Sequence, residues 1–330
     1  MPTRPLPSRL RRAPRYALAL ALALGAATAA RAQYPEQPIT LIFPWSTGSG
    51  IDAVTRVFAQ KLGAELGQPV VVQSRPGASS TIGASLVQRA APDGYTLLIG
   101  DGGTFSVVNQ LRKNKVFDSL QDFTPVAPLV KTPYFVLTNA ESPARSLNDV
   151  IAQARGKPGA VAYGNVGVGS VAHLAVEEFS RQAGIKLLAV PYKGSGEVIS
   201  ALIGNTVQLS FSGGALNQVN NGRVKALAVA SAERLKAAPD LPTIKESTGI
   251  DSVAEAWWGI VAPRGTPQAV VQTLNQAINK VSNDPELQSQ FASWGFVFTP
   301  GTPDQLRQRI VADTGRWQAV IAAANLQAVD

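Results

Sequence analysis

The chain has 330 residues, of which 45% are apolar and 16% are charged, with no cysteine and one histidine, His173. This composition excludes an intrinsically disordered chain, and the length allows about two domains. Without cysteine there is no disulfide, thiolate metal site, iron–sulfur cluster or cysteine nucleophile. One histidine is too few for a histidine-based zinc site, so we expect neither a metal nor a cofactor.

The first 32 residues have the three parts of a secretory signal peptide. They hold six arginines and no acidic residue, then an apolar run over 16–30, closed by the small-residue pattern Ala30-Arg31-Ala32. The pair Arg11-Arg12 is a feature of twin-arginine export signals. Ala13-Pro14 follows it instead of an apolar pair, which favours the general secretory route. The rest of the chain has 24 basic and 22 acidic residues, so its formal charge is about +2 instead of +8. We therefore expect a periplasmic protein of a Gram-negative bacterium, with no lipid anchor and no nucleic-acid partner.

Strands and helices alternate along the rest of the chain. The first set is a strand at 38–44, a helix at 51–66, a strand at 70–72, a helix at 80–90 and a strand at 95–99. The second set is a helix at 147–154, a strand at 160–163, a helix at 171–182, a strand at 187–190, a helix at 195–203 and a strand at 207–211. Such alternation predicts parallel sheets flanked by helices.

Two extended segments, 124–139 and 257–263, separate these sets from each other and from three C-terminal helices at 267–281, 285–293 and 303–324. The simplest architecture has two α/β domains between which the chain crosses twice, near 130 and near 255. We expect a first lobe formed by 33–130 and 255–330, and a second lobe formed by 131–254.

A loop of small and hydroxylated residues, Trp45-Ser46-Thr47-Gly48-Ser49-Gly50, joins the first strand to the helix that begins near Ile51 or Asp52. Backbone N–H groups at a helix N-terminus lack intrahelical partners, so they suit a carboxylate or a phosphate. The loop also follows the carboxyl end of a parallel strand, where open α/β sheets bind ligands. The alternative is a plain turn in which Ser49 or Asp52 serves only as the N-cap.

A second loop of this kind, Gly164-Asn165-Val166-Gly167-Val168-Gly169-Ser170, precedes the helix that starts at Val171. Gly167 and Gly169 match half of a dinucleotide fingerprint, but His173 occupies the third glycine position, which disfavours that site. The two loops, one in each lobe, predict a cleft with hydrogen-bond donors on both walls. In the first turn of its helix, His173 is expected to be neutral and to donate one hydrogen bond; a packing role is the alternative.

A third strand-to-helix loop, over 190–196, carries Tyr192 and Lys193. Lys193 offers a positive charge to an anionic ligand, and a solvated surface lysine is the alternative. The acidic residues Asp93, Asp101, Asp122 and Glu197 are scattered, and we interpret them as turn or cap residues. No Gly-x-Ser-x-Gly elbow accompanies the single histidine in these loops, which disfavours a serine triad.

These motifs together resemble the Bug family, the extracytoplasmic receptors of tripartite tricarboxylate transporters. The resemblance runs in order over 34–325 and includes Gly48-x-Gly50-x-Asp52, Gly67-Gln68-Pro69-Val70, Ala91-Pro92-Asp93-Gly94-Tyr95, Gly167-x-Gly169-Ser170-x-x-His173, Pro191-Tyr192-Lys193-Gly194 and Trp258-Gly259-x-x-Ala262-Pro263. It implies a two-lobed periplasmic-binding-protein fold, type II-like, and no catalysis. It also implies a small carboxylated organic anion held in the interlobe cleft.

The ligand-binding residues expected from the loops and the resemblance are Trp45, Ser46, Thr47, Gly48, Ser49, Asp52, Gly167, Gly169, Ser170, His173, Tyr192 and Ser212. The chain departs from the family at two places in this set. The family usually has Pro-Gly-Gly where this chain has Ser46-Thr47-Gly48 after Trp45, so the indole can pack on an aromatic or aliphatic ligand. Ser212 stands where the family often has an aspartate, which makes the pocket less suited to an ammonium-bearing ligand.

The resemblance implies a monomer that delivers its ligand to transporter membrane subunits. Two other classes stay open at this point. The same fold serves a sensory module that reports to a membrane kinase, and binding to one or the other membrane partner distinguishes them. A secreted α/β hydrolase would need a nucleophile and a base within hydrogen-bond reach, which a single histidine at a helix start serves poorly.

We expect the exported protein to begin at Gln33, because the segment ending at Ala32 has the small-residue cleavage pattern. N-terminal sequencing of the periplasmic fraction checks this. Replacing the arginines before the apolar run with glutamate should leave the precursor in the cytoplasm. An intact Met1 on the secreted protein would contradict the prediction.

Overall fold

Residues 34–323 are described by a computed structural model. The signal peptide expected over 1–32 and its cleavage site therefore lie outside the described residues. Within the described range, no helix combines the length and the apolar character needed to cross a bilayer.

The described chain starts with a strand–helix unit that forms one edge of the sheet. Its elements are β1 (Ile39–Phe43), α1 (Gly50–Leu66), β2 (Val70–Ser74), α2 (Thr81–Gln88) and β3 (Thr96–Asp101). β1 pairs in parallel with β2 on one side and with β3 on the other. Ser49 caps α1 and Gly67 ends it in the left-handed conformation, so local sequence sets both ends. The helix buries the apolar stripe Val54, Phe58 and Leu62 completely.

The longest strand, β4 (Phe123–Asn139), belongs to both halves of the sheet. Residues 123–133 pair antiparallel with β9 (Glu255–Pro263), which also pairs with β3. Residues 134–139 pair antiparallel with β7 (Leu209–Gly213) and β8 (Val224–Val229). The strand therefore changes partners between Pro133 and Tyr134, and it carries the sheet from one half to the other.

The second half repeats the strand–helix alternation. Its remaining elements are α3 (Leu147–Gly156), β5 (Ala162–Asn165), α4 (Val171–Ala183), β6 (Leu188–Pro191), α5 (Ser195–Ile203), α6 (Leu216–Asn220) and α7 (Ile244–Thr248). β5 pairs in parallel with β6 and with β7, so the order outward from β4 is β7, β5, β6.

The C-terminal elements return to the first half. They are α8 (Gln268–Ser282), α9 (Pro285–Ala292), β10 (Val297–Phe298) and α10 (Pro303–Ala323). β10 pairs with Val130 and Lys131 of β4. The Asn275 amide nitrogen of α8 donates to the carbonyl of Val126 at 2.8 Å, and the Ser106 hydroxyl donates to the carbonyl of Ile310 at 3.2 Å. Ser106 lies in a π-helical turn, Gly103–Val107, that follows β3.

Each half has its own hydrophobic cluster. The first includes Ile42, Leu98, Phe105, Trp257 and Leu306, and the second includes Phe135, Leu137, Val198, Leu202 and Leu216. Fully burying one such side chain stabilises the fold by about 1.5–3 kcal/mol. The expected two-lobed α/β fold, with largely parallel sheets flanked by helices, is confirmed. The numbered lobe boundaries stay predictions.

The predicted strands and helices match those of the structure, with some boundaries displaced by one or two residues. The strands expected at 160–163 and 207–211 lie two residues later, at Ala162–Asn165 and Leu209–Gly213. Four elements have no counterpart in the prediction, namely α6, α7, β8 and β10. Three of them have five residues or fewer, which is too short for a hydrophobic period to identify.

The loop before α2 runs through the left-handed region for three consecutive residues that are not glycine. Ala78, Ser79 and Ser80 have φ values of 47°, 53° and 74°. This conformation costs an L-residue roughly 1–2 kcal/mol, because Cβ approaches the following carbonyl. The loop borders the cleft described below, so strain is concentrated beside it.

We expect Ser79→Gly to raise the free energy of unfolding by about 1 kcal/mol, because glycine adopts positive φ without a steric cost. Ser293→Gly is the matched control. Ser293 is right-handed, with φ −63°, so glycine there should lower stability by about 0.5–1 kcal/mol. Urea titrations of both variants give the comparison. Destabilisation by both substitutions would show that strain at Ser79 is not the controlling factor.

Candidate functional site

The loops that follow β1, β3, β5, β6 and β7 line a cleft between the two halves. Three adjoining spaces make up this cleft. We name them the inner cavity, about 80 Å³, the outer cleft, about 520 Å³, and the side cleft, about 850 Å³. The inner cavity and the outer cleft share four wall residues, Trp45, Ser46, Asp101 and Val166. The two spaces are therefore neighbours, and these residues form the boundary between them.

The two walls approach each other closely at glycines. A Cβ atom built on Gly194 would lie 3.8 Å from Cβ of Ser46, and one on Gly50 would lie 3.0 Å from the carbonyl oxygen of Gly214. At Gly169, with φ 80°, it would lie 2.5 Å from a methyl group of Leu111. The glycines let the opposing backbones meet, so the cleft closes over its interior.

Side chains of α1 hold the β1–α1 loop in place. The Gly48 N–H donates to Oδ2 of Asp52 at 2.9 Å, and the Asp52 N–H donates to the hydroxyl of Ser49 at 3.2 Å. Arg56 pairs with the other Asp52 oxygen at 2.9 Å. Asp52 is buried and lines none of the three spaces. The N-cap interpretation of Ser49 is therefore confirmed, and Asp52 lies behind the loop instead of facing the cleft.

The β5–α4 loop is held in the same manner. The Gly167 N–H donates to Oδ1 of Asn165 at 2.9 Å, and the Gly169 N–H donates to Nδ1 of His173 at 3.4 Å. Ser170 caps α4 by accepting the His173 N–H at 3.2 Å. The sequence predicted backbone N–H groups open to a ligand in both loops. At Gly48, Gly167 and Gly169 that prediction is wrong, because side chains of the same loop or helix already satisfy those donors.

His173 is a packing residue of this loop. Its ring is buried and stacks on Tyr163 at a centroid distance of 6.3 Å. Because Nδ1 accepts from Gly169, the neutral ring carries its proton on Nε2. Burial lowers the pKa of His173 below its ordinary value, although the charge of Glu177 partly opposes the shift. The lowered pKa is consistent with the expected neutral ring. The sequence predicted that the ring donates a hydrogen bond, whereas in the structure it accepts one from the Gly169 N–H.

The remaining sequence-predicted residues line the cleft. Trp45, Ser46, Ser49 and Ser212 face the inner cavity, whereas Gly167, Gly169, Ser170 and Tyr192 face the outer cleft. Thr47 and Gly48 face the side cleft. The backbone carbonyl of Trp45 accepts a hydrogen bond from the Ser74 hydroxyl, and the Trp45 indole packs edge-on against Phe43 at 5.1 Å.

Sequence reasoning missed much of the inner cavity. Its wall includes Asp101 and Asn165, the last residues of β3 and β5, together with Tyr134, Trp258 and Phe296. Asp101 was interpreted as a turn or cap residue. A possible signal was its position at the carboxyl end of a parallel strand. The aromatic residues come from β4, β9 and the segment before β10, which no local pattern connects with the loops.

Asp101 is the only side chain of the inner cavity that ordinarily carries a charge at neutral pH. Its Oδ1 accepts the N–H and the hydroxyl of Thr104, both at 2.7 Å. Burial nonetheless raises the pKa of Asp101, because desolvation penalises the carboxylate more than these hydrogen bonds favour it. Burial and the nearby Asp101 and Asp313 raise the pKa of Tyr134, so its phenol stays neutral. The cations of the outer cleft, Arg112 and Lys193, lie on its wall.

The described residues contain no group of three or more histidine, cysteine, aspartate or glutamate side chains arranged to hold a metal ion. The arrangement instead offers hydroxyls, one amide and cations around an apolar interior. Such a concave, mostly apolar space with a few polar groups is typical of a small-molecule binding site.

We expect the stability of the protein to fall in mildly acidic solution because of His173. Its folded-state pKa is lowered, so the unfolded state binds the proton more readily. Above pH of about 6.5 neither state is protonated, and stability does not depend on this group. The free energy of unfolding should decline as the pH falls from there through the lowered pKa. Urea titrations at several pH values measure the slope, and His173→Gln should flatten it. An unchanged slope in that variant would assign the pH dependence to other groups.

Comparisons with known proteins agree with this architecture. A model of the tripartite tricarboxylate transporter family receptor matches residues 54–326. BugT of Bordetella pertussis is 35% identical over 291 residues, which are 87% of this chain and 89% of that protein. The structure of R. palustris Rpa4515 with adipate has a TM-score of 0.85 and 30% identity, over 88% of this chain and 98% of that one. MatC (Rpa3494) from Rhodopseudomonas palustris with bound malate has a TM-score of 0.82 and 28% identity, over 87% and 100%.

The family match spans most of the described residues and includes the β5–α4 loop and the C-terminal helices. The resemblance to the Bug family is thereby confirmed, together with the expectation that the protein is not an enzyme. The chain belongs to the tripartite tricarboxylate transporter receptor family, whose members are solute-binding receptors.

Proposed function

We propose that this protein is a periplasmic receptor that holds a small organic carboxylate between the two walls of its cleft. Relatives with the same fold have been seen with adipate and with malate. The observation that carries the proposal for this chain is the outer cleft, where hydroxyls and two cations surround a space of about 520 Å³. Arg112 and Lys193 give this space the positive charge that a carboxylate requires.

The two N-cap serines are the first candidates for contact with the ligand. Ser49 and Ser170 use an oxygen lone pair to accept a helix N–H. A serine hydroxyl can accept and donate at once, so each proton is available to a ligand. Ser170 borders the outer cleft and Ser49 the inner cavity. Ser46, Tyr192 and Ser212 supply further hydroxyls, and Trp45 an apolar face.

Ligand capture is proposed to favour a closed arrangement of the lobes, with β4 and β9 as the connecting segments. A ligand that contacts both walls stabilises the state in which they meet. Trp45 and Trp258 line the inner cavity and should report this change. Trp257 should not, because it is buried and held by Asp313, Phe105 and Arg309.

Delivery of the ligand to transporter membrane subunits is the second part of the proposal. It follows from the family, and a signalling role for the same receptor is the alternative. Co-purification of the ligand-loaded protein with transporter membrane subunits would support transport. Binding to the periplasmic domain of a membrane kinase instead would favour signalling.

We expect adipate, malate or a related carboxylate to raise the melting temperature of the protein, because a ligand that binds only the folded state stabilises it. Small-angle scattering should give a smaller radius of gyration at saturating ligand, and tryptophan fluorescence should change over the same concentrations. A neutral amide of the best ligand should bind much more weakly. Binding with neither change would argue for a rigid pocket. If no carboxylate binds, the proposed function is wrong.

We expect Ser170→Ala to weaken carboxylate binding about 10- to 150-fold, since a hydrogen bond to a charged group contributes about 1.5–3 kcal/mol. The variant also loses an N-cap, which costs about 1 kcal/mol of stability, so calorimetric titration should be run well below its melting temperature. Ser170→Thr keeps the hydroxyl and should bind normally. Ser180→Ala is the matched control, because that hydroxyl lies on the same helix without a partner and away from the cleft. An unchanged dissociation constant for Ser170→Ala would remove this hydroxyl from the site.

A further inference from the structure

Asn165 carries a buried donor that nothing in the described protein satisfies. The residue is 1% exposed and forms part of the wall of the inner cavity. Its amide nitrogen Nδ2 has no hydrogen-bond partner. Leaving such a group unpaired costs about 1–3 kcal/mol, so a partner supplied by a ligand would remove this cost.

The orientation of the Asn165 amide is fixed by its neighbour. Oδ1 accepts the Gly167 N–H at 2.9 Å. Turning the amide over would set its NH₂ group against that N–H, and two donors repel. The NH₂ group is therefore the part of the side chain that is left to meet a ligand.

Asp101 supplies an acceptor to the same small cavity. Thr104 gives Oδ1 two hydrogen bonds, whereas a carboxylate has room for about four. Asp101 and Asn165 both border a space of about 80 Å³, so a single polar group of a ligand can reach both. A hydroxyl group is the functional group that matches one acceptor and one donor, because it donates one hydrogen bond and accepts another.

The charges of the cleft decide which end of the ligand enters the inner cavity. Of the side chains that line this cavity, none is cationic, and Asp101 is an acid. A carboxylate would be desolvated there without a counter-charge, which is unfavourable. Arg112 and Lys193 border the outer cleft instead. The ligand therefore places its carboxylate in the outer cleft and an uncharged end inside.

The shape of the ligand follows from the apolar wall. Trp45, Tyr134, Trp258 and Phe296 surround the polar pair, and the Trp258 and Phe296 rings lie 5.9 Å apart. Aromatic rings that are held in place by their neighbours pack favourably against the face or edge of another aromatic ring. The volume is roughly half that of a 150 Å³ cavity that takes up benzene, so it holds the substituted end of a ring and not the whole ring.

We infer that the preferred ligand is a hydroxylated aromatic carboxylate, whose ring hydroxyl is bound by Asp101 and Asn165 in the inner cavity and whose carboxylate lies in the outer cleft. This inference rests on the proposed function and specifies its ligand class. Asp101 accepts a hydrogen bond from the ring hydroxyl, and the Asn165 NH₂ group donates one to the hydroxyl oxygen.

Calorimetric titration with 4-hydroxybenzoate and benzoate tests the inference, because the two probes differ only in the hydroxyl. The wild-type protein should bind 4-hydroxybenzoate about 10- to 100-fold more tightly, since benzoate leaves the Asn165 NH₂ group unpaired and gives Asp101 no hydrogen bond beyond those from Thr104. In Asn165→Asp the acceptor for Gly167 is kept and the donor is lost. In Asp101→Asn the acceptor for Thr104 is kept and the second acceptor is lost. Each variant should reduce the preference for the hydroxyl to less than threefold.

The ratio of the two affinities cancels any general effect of charge on carboxylate binding. Asn148→Asp is the matched control, because it makes the same chemical change at an exposed amide that lines none of the three spaces of the cleft. Its preference should equal that of the wild type. A wild-type preference near one, or a preference that survives Asn165→Asp, would overturn the inference.

Adipate and malate separate failure of this inference from failure of the proposed function. If they bind and the aromatic acids do not, the receptor function stands and the hydroxylated aromatic ligand is wrong. If adipate, malate, benzoate and 4-hydroxybenzoate all leave the melting temperature unchanged, the proposed function fails and the inference fails with it.

Discussion

One strand, β4, fixes the geometry on which the cleft depends. Its first part pairs with β9 and its second part with β7 and β8, so both halves share a single stretch of backbone. The carboxyl ends of β1 and β3 on one side, and of β5, β6 and β7 on the other, therefore open toward a common space. Ligands of open α/β sheets bind at these strand ends. Because both halves share β4, the carboxyl ends of the strands in one half face those in the other half.

Hydrogen bonds within the protein shape the cleft loops. Asp52 holds Gly48, Asn165 holds Gly167, and His173 holds Gly169, each through a hydrogen bond from a backbone N–H. This arrangement uses up loop N–H groups that would otherwise be open to an anion, but it fixes the backbone of both loops. We therefore propose that side chains recognise the ligand, namely the hydroxyls of both spaces and the amide and carboxyl groups of the inner cavity.

Polarity is separated along the cleft. Cationic side chains border the outer part, Asp101 lies on the wall that the two parts share, and the inner part adds Asn165 and further aromatic rings. Burying the Asp101 carboxyl group without a cationic partner is unfavourable, and so is leaving the Asn165 amide unpaired. A ligand hydroxyl that forms hydrogen bonds with both groups would offset these costs. The same separation orients a ligand, because its carboxylate is favoured at one end only.

Local patterns predicted the strand–helix alternation, the loop positions and the alternative of an N-cap at Ser49, because each depends on residues close together in the sequence. Most of the predicted site residues, from Trp45 to Ser212, do line the cleft. Local patterns did not reveal that Asp101, Asn165, Trp258 and Phe296 share one cavity, since β3, β5, β9 and the segment before β10 meet only through long-range pairing. Nor did they predict which N–H groups are already satisfied, because this depends on side-chain geometry that spacing does not specify. The sequence by itself determined the elements and the family; only the tertiary structure decided which polar groups remain for a ligand, because burial and pairing are properties of the packed chain.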